Sequence, residues 1–94
     1  MTAHVFISGF VQGVGFRRFV RHHALSLGLT GWVKNLPDNR VEAVFQGSRE
    51  QIAKIIAICK KGAFLSEVKD IAVGWENQSI EIFETFEILH QFVY

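Results

Sequence analysis

An α/β sandwich is the fold this sequence predicts: a predominantly antiparallel sheet of four to five strands with two helices packed on one face. Three observations predict it. An alternating N-terminal run changes to a helical period at Phe16; two further alternating runs are joined by a Pro-Asp-Asn turn; and a second helical stripe is again followed by alternation.

Residues 4–11 place His4, Phe6, Ser8 and Phe10 on one face and Val5, Ile7, Gly9 and Val11 on the other, the period of a strand. From Phe16, the residues Phe16, Val20, Ala24 and Leu27 recur at helical steps, and Gly28 fits a helix stop. Residues 30–35 and 40–46 read as two strands joined by Leu36-Pro37-Asp38-Asn39. Pro presets the first turn position, Asp tolerates the second, and Asn39 tolerates the left-handed conformation. Ser48 starts the second helix, with Gln51 as its capping-box partner. Ile52, Ile55, Ile56 and Cys59 form its apolar stripe, while Lys60, Lys61 and Gly62 close it. Lys69, Ile71, Val73 and Trp75 alternate as a fourth strand, and Phe86 and Ile88 belong to a fifth. Two β-α-β crossovers, right-handed by rule, put both helices on the same side of the sheet. That order is the ferredoxin-like sandwich.

Ninety-four residues suit one domain, expected here to span 1–94, and a hydrophobic fraction of 49% supports a packed core. The formal net charge of +1 provides no general attraction to nucleic acid or anionic membrane, so anion recognition must be local. Cys59 has no partner for an internal disulfide, and no apolar stretch approaches the roughly 20 residues that cross a bilayer. A soluble cytoplasmic monomer with no nucleic-acid or membrane partner is expected.

The densest chemical signal lies at residues 7–17, Ile-Ser-Gly-Phe-Val-Gln-Gly-Val-Gly-Phe-Arg. Gly13 and Gly15 open backbone conformations closed to other residues, so that several N–H groups can converge where a helix begins. A strand, a glycine loop and a helix N-terminus together make a candidate anion cradle. Arg17 at its rim adds a planar charged fork suited to phosphate oxygens. Arg17 and Arg18 stand where the helix dipole disfavours a cation by about 0.3–1 kcal/mol each, and a bound anion offsets that penalty. Solvated arginines paired with nearby acids are the alternative.

This run resembles the signature of the acylphosphatases, which hydrolyse carboxyl-phosphate mixed anhydrides. The family pattern is met by Gly9, Val11-Gln12-Gly13-Val14 and Phe16-Arg17, and a second family segment by Gly31-Trp32-Val33-Lys34-Asn35. The resemblance covers nearly the whole chain. It implies the same fold, a small acyl phosphate as substrate, and inorganic phosphate as product or inhibitor. It also implies phosphate binding by Arg17 and the loop Gln12, Gly13, Val14, Gly15, Phe16. Arg17 and Asn35 become the catalytic residues, with Asn35 orienting the attacking water. Read without the family, Asn35 is a turn or capping asparagine near Pro37 before it is a catalytic residue. Arg18 and Arg21 fall outside the matched position and are expected at the surface.

An amide can accept from a water and donate to a second group, but it is no strong base. The chemistry tolerates this, because the leaving carboxylate, with a conjugate acid near pKa ~4, departs unprotonated. Neither cofactor nor metal is expected: His22 and His23 are adjacent rather than spaced as a ligand pair, and the other two histidines, His4 and His90, are remote in sequence. Cys59 on an apolar stripe is expected to be buried and inert. The chain departs from the family at Asn39, usually Gly, and at Ala63-Phe64-Leu65-Ser66, where prolines are common. Two other readings compete: an RNA-binding module of the RRM type, whose aromatic signature belongs on the third strand rather than the first, and a catalytically idle interaction domain.

Overall fold

The computed structural model describes residues 1–77 and 81–90. Its elements are β1 (Thr2–Phe10), α1 (Phe16–Ser26), β2 (Thr30–Asn35), β3 (Val41–Gln46), α2 (Arg49–Lys61), β4 (Glu67–Glu76) and β5 (Phe86–Leu89). The strands form one sheet in the order β4-β1-β3-β2-β5. Only β2 and β5 pair in parallel; the other three pairings are antiparallel. The ferredoxin-like prediction holds, and the strand ends move by only a few residues.

Alternation decides which face of the sheet is covered. Ala3, Val5 and Ile7 of β1, with Val33, Val41, Ala43 and Phe45, join Phe16, Val20 and Ala24 of α1 and Ile52, Ile55 and Cys59 of α2 in one core. Phe86 fastens β5 to that core by stacking on Phe45, with ring centroids 5.6 Å apart. Such an aromatic pair contributes about 0.5–1.5 kcal/mol beyond its buried area. Phe10 stays 60% exposed and Phe64 90% exposed, so the 63–66 segment leaves an apolar side chain in solvent. Phe92 lies outside the described residues.

The two helices begin differently. At α2 the Ser48 side chain accepts from the Gln51 amide while the Gln51 side chain accepts from the Ser48 amide, the reciprocal box read from sequence. At α1 the N-cap is Gly15, and no side chain caps the first turn. The hairpin between β2 and β3 closes through Asn39 N–H to Leu36 O at 3.2 Å and Leu36 N–H to Arg40 O at 2.8 Å. Asn39 has φ 73°, so asparagine does occupy the left-handed position. Asp38 binds Arg40, and that side-chain hydrogen bond lowers its carboxyl pKa.

Gly9 and Gly31 are fixed by backbone contact. The β1–β4 register shifts between Ser8 and Gly9, interrupting the simple alternation expected through Val11. A Cβ on Gly9 would lie 2.1 Å from Glu67 O, and one on Gly31 1.9 Å from Val44 O. Both distances are far inside van der Waals contact, and both clashing atoms belong to the main chain. Gly31→Ala is therefore expected to cost at least about 2 kcal/mol by urea unfolding. A loss below about 1 kcal/mol would show that β2 and β3 separate freely there.

Candidate active site

β1 leads into residues 11–15, where Gly13 has φ 76° and Gly15 φ 78°. A Cβ on either would meet nothing within 4 Å. Their need for glycine is thus conformational, since an L side chain in this region costs about 1–2 kcal/mol. With Gly15 as the cap, the first amides of α1 have no intrahelical acceptor and present the positive end of the helix dipole.

Gln12 and Val14 of this loop point elsewhere. Gln12 Nε2 donates to Leu36 O at 2.9 Å and to Arg40 O at 2.8 Å, joining the loop to the β2–β3 hairpin. Val14 packs against the core. The side chains of these two residues are therefore structural, and a ligand in the loop would meet main-chain groups there.

Between the loop, the start of α1 and the ends of β2 and β5 lies a cleft of about 190 Å³, lined by Val11, Gly13, Gly15, Phe16, Arg17, Arg18, Asn35, Ile88 and His90. None of these lining residues is acidic. Phe16 contributes a floor that is 1% exposed. Asn35 ends β2 opposite Val41 of β3, beside the hairpin that Gln12 holds. Its Oδ1 is buried, and among the described residues it is the one buried side-chain nitrogen or oxygen without a hydrogen-bond partner. An unsatisfied buried acceptor costs about 1–3 kcal/mol, and Asn35, which carries it, is one of the residues that line the cleft.

β5 and α1 run in opposite directions along their contact. Arg21 Nε donates to Phe86 O at 3.0 Å. One helical turn toward the start of α1 is about 5.4 Å, close to two residues of strand. The first turn of α1 therefore stands beside residues 88–90, which explains why Arg17 and Arg18 share the cleft with Ile88 and His90. Arg21, expected at the surface, is exposed yet ties α1 to β5. Arg18, also expected there, is exposed and on the cleft wall.

A model of the family described as Acylphosphatase matches residues 3–88. The chain belongs to the acylphosphatase family. An acylphosphatase of Syntrophobacter fumaroxidans is 48% identical over 86 residues, covering 92% of this chain and 88% of its own. One from Nostoc sp. is 53% identical over 77 residues, covering 82% and 76% respectively. The crystal structure of acylphosphatase from Bacillus subtilis superposes with a TM-score of 0.89 at 39% identity, covering 94% of this chain and 97% of that one.

The remaining candidates of this family member fall outside the cleft. His4 hydrogen-bonds Glu42 on the uncovered face of the sheet, and β3 and β2 separate its strand from β5, so it does not meet His90. His23 packs edge-on against Phe19 with centroids 4.7 Å apart, and His22 is exposed. Among the described residues no three His, Cys, Asp or Glu side chains gather as a metal site. No helix among them is long and apolar enough to cross a membrane.

Sequence reasoning missed Arg18 and His90 as cleft residues. Arg18 had a usable signal, a second cation at a helix start. His90 had none, because its place depends on the parallel pairing of β5.

Two expectations follow from these contacts. Gln12→Leu removes two hydrogen bonds and is expected to lower stability by about 1–2 kcal/mol in urea unfolding; an unchanged midpoint would remove Gln12 as a clamp. Burial pushes the Cys59 thiol up to about 12. A raised native pKa means its contribution is complete below the unfolded value and declines as pH rises through the interval to about 12. Near neutral pH a thiol reagent should leave the native protein unlabelled and modify one cysteine in urea, and rapid native labelling would contradict that burial.

Proposed function

We propose that the protein is an acylphosphatase, hydrolysing small acyl phosphates to carboxylate and inorganic phosphate without a metal ion, with residues 1–94 acting as one such domain. The observation that carries the residue roles is the unsatisfied Asn35 Oδ1 on the wall of the cleft that also holds Arg17 and the Gly13/Gly15 loop. Family membership supports the reaction.

In this reading the phosphoryl oxygens lie against Arg17 and the main chain of residues 12–16. The Arg17 guanidinium forms charge-assisted hydrogen bonds, stronger than those between neutral groups. Asn35 Oδ1 accepts from the attacking water, holding its oxygen in line with the acyl oxygen that leaves. The new bond joins water oxygen to phosphorus; the bond from phosphorus to the acyl oxygen breaks, and its electrons leave with the carboxylate. A non-bridging phosphoryl oxygen takes the water proton. No general acid is required, because the leaving carboxylate is stable unprotonated near neutral pH. Positioning and charge stabilisation carry a phosphoryl transfer of this type.

The protein is assigned to the cytoplasm as a monomer, in keeping with its near-neutral charge and its buried lone thiol. An RNA-binding module has less support. Phe16, part of the aromatic echo of an RRM signature, is 1% exposed in the core and cannot stack on a base. An idle interaction domain leaves the exposed polar cradle and the orphaned Asn35 acceptor without a purpose.

Benzoyl phosphate hydrolysis in EDTA is expected for the wild type. Arg17→Gln and Asn35→Ala should each lose at least ~100-fold in rate, the scale of removing one preorganised transition-state contact. Competitive inhibition by inorganic phosphate should disappear in Arg17→Gln and persist in Asn35→Ala. A folded wild type without hydrolysis would end the enzyme reading; full activity in either variant would end that residue's role.

A further inference from the structure

We propose that the monomer associates reversibly with further copies of this chain, head to tail. The turn carrying Phe64 and Leu65 on one copy enters an acidic aromatic groove beside Trp32, Phe83 and Leu89 on the next. Neither surface includes a residue that lines the cleft, so the contact is separate from the acylphosphatase reaction.

The protruding part is the turn between α2 and β4, residues 63–66. Ser66 closes it: its N–H donates to Ala63 O at 3.0 Å, and its hydroxyl donates to Ala63 O and accepts from Ala63 N–H, both at 2.8 Å. Between them Phe64 is 90% exposed and Leu65 69% exposed. Leu65 has φ 76°, a conformation that glycine adopts freely and leucine only with strain. The closed turn thus holds two apolar side chains out in water, which favours their burial against another surface. Lys60 and Lys61 end α2 just before the turn, both exposed, and neither joins an ion pair among the described residues.

The groove has the complementary character. It encloses about 280 Å³ and is lined by Trp32, Phe83 and Leu89 together with Glu81, Glu84 and Glu87, with no basic residue. A cavity of about 150 Å³ takes a benzene molecule, so the ring of Phe64 fits. Its wall is firmly held: Gln46 Nε2 donates to Glu81 O at 2.6 Å, Phe83 N–H donates to Gln46 Oε1 at 2.9 Å, and Gly31 N–H donates to Thr85 O at 2.9 Å. Lys34, which lies over the Trp32 ring, is engaged by Glu42. Glu87 accepts from the Thr85 hydroxyl, and none of the three groove carboxylates joins an ion pair among the described residues. An aromatic hole rimmed by carboxylates fits an aromatic knob flanked by lysines: the ring supplies the anchor, and the rim charges set orientation.

The topology decides how copies join. Glu67, the first residue of β4, lies opposite Phe10 at the end of β1, whereas Trp32 is level, through Val44, with His4 near its start. β4 and β5 are the two edges of the sheet. Turn and groove therefore occupy diagonally opposite corners, and one copy can use both at once. A contact between unlike surfaces of this kind extends beyond a pair.

Sedimentation equilibrium on the full chain from ~10 μM to ~1 mM, a range that spans weak contacts, tests this. The weight-average mass of the wild type is expected to rise from the monomer past the dimer, and less steeply in about 0.5 M salt, which screens the rim charges. Phe64→Ser and the double variant Glu84→Lys/Glu87→Lys should each remain monomeric. Mixed in equal amounts, the two should form a pair and nothing larger, because one intact turn and one intact groove remain between them. All three substituted positions are exposed, so both variants should keep the wild-type urea midpoint and benzoyl phosphate turnover. A wild type that stays monomeric to ~1 mM, whether or not it binds phosphatidylserine vesicles, would overturn the proposal. So would association that persists in either variant, or a mixture of the two that fails to pair.

Discussion

The two hydrogen bonds from Gln12 Nε2 to Leu36 O and Arg40 O are the interaction on which the cleft depends. Each acceptor already receives a backbone N–H within the hairpin, so Gln12 uses their second lone pairs. One neutral nitrogen thereby fixes the loop after β1 to the turn after β2. The loop supplies the helix start with Arg17, and the strand before the turn supplies Asn35. Apart from the packing of α1 on β2 and β5, this tie is what joins the two halves of the cleft, since β3 lies between β1 and β2 in the sheet. A half-buried, doubly bonded amide holds such a distance better than an exposed charge pair, which water and salt weaken.

The same economy divides the glycines and the helix starts. Gly9 and Gly31 let main chains approach closely, and their substitution would damage the sheet. Gly13 and Gly15 meet no neighbouring atom, and their role is to turn the backbone. Of the two helices, α2 satisfies its first donors with the Ser48–Gln51 box, while α1 begins at a glycine and leaves them open. With glycine at its cap, α1 forgoes only about a few tenths of a kcal/mol relative to a capping side chain. α1 offsets this through Phe16, Val20 and Ala24 in the core, and Arg21 anchors its exposed side to β5. Stability is thus concentrated on the buried face of α1, and the polar end is left open.

The cleft is assembled for positioning more than for proton chemistry. Neither a histidine–carboxylate pair nor a reactive thiol lies in it: His4 and its partner Glu42 are on the uncovered sheet face, and Cys59 is sealed in the core. A carboxylate leaving group asks for neither. What the reaction needs is a fixed positive fork, converging main-chain donors and one acceptor for water.

Local chemistry was legible in the sequence. The period change at Phe16, the capping box at Ser48, the turn at Pro37-Asp38-Asn39 and the loop glycines each depend on residues within about one turn of one another, so sequence spacing already contains their geometry. Arg17 could be singled out at the rim of the glycine loop, and Asn35 through the family resemblance rather than its local pattern; the cleft does bring them together. The bulge at Gly9 was not legible, since it arises from the register of β4 across the chain. Nor was the clamp made by Gln12, whose acceptors lie 24 and 28 residues away. His90 entered the cleft only through β5, a short edge strand whose parallel pairing with β2 no periodic pattern announces. The sequence by itself determined the elements and the glycine loop, because these are short-range backbone preferences. The tertiary structure decided which strands are neighbours, and therefore which side chains share the cleft, because pairing and packing join residues whose separation along the chain carries no such information.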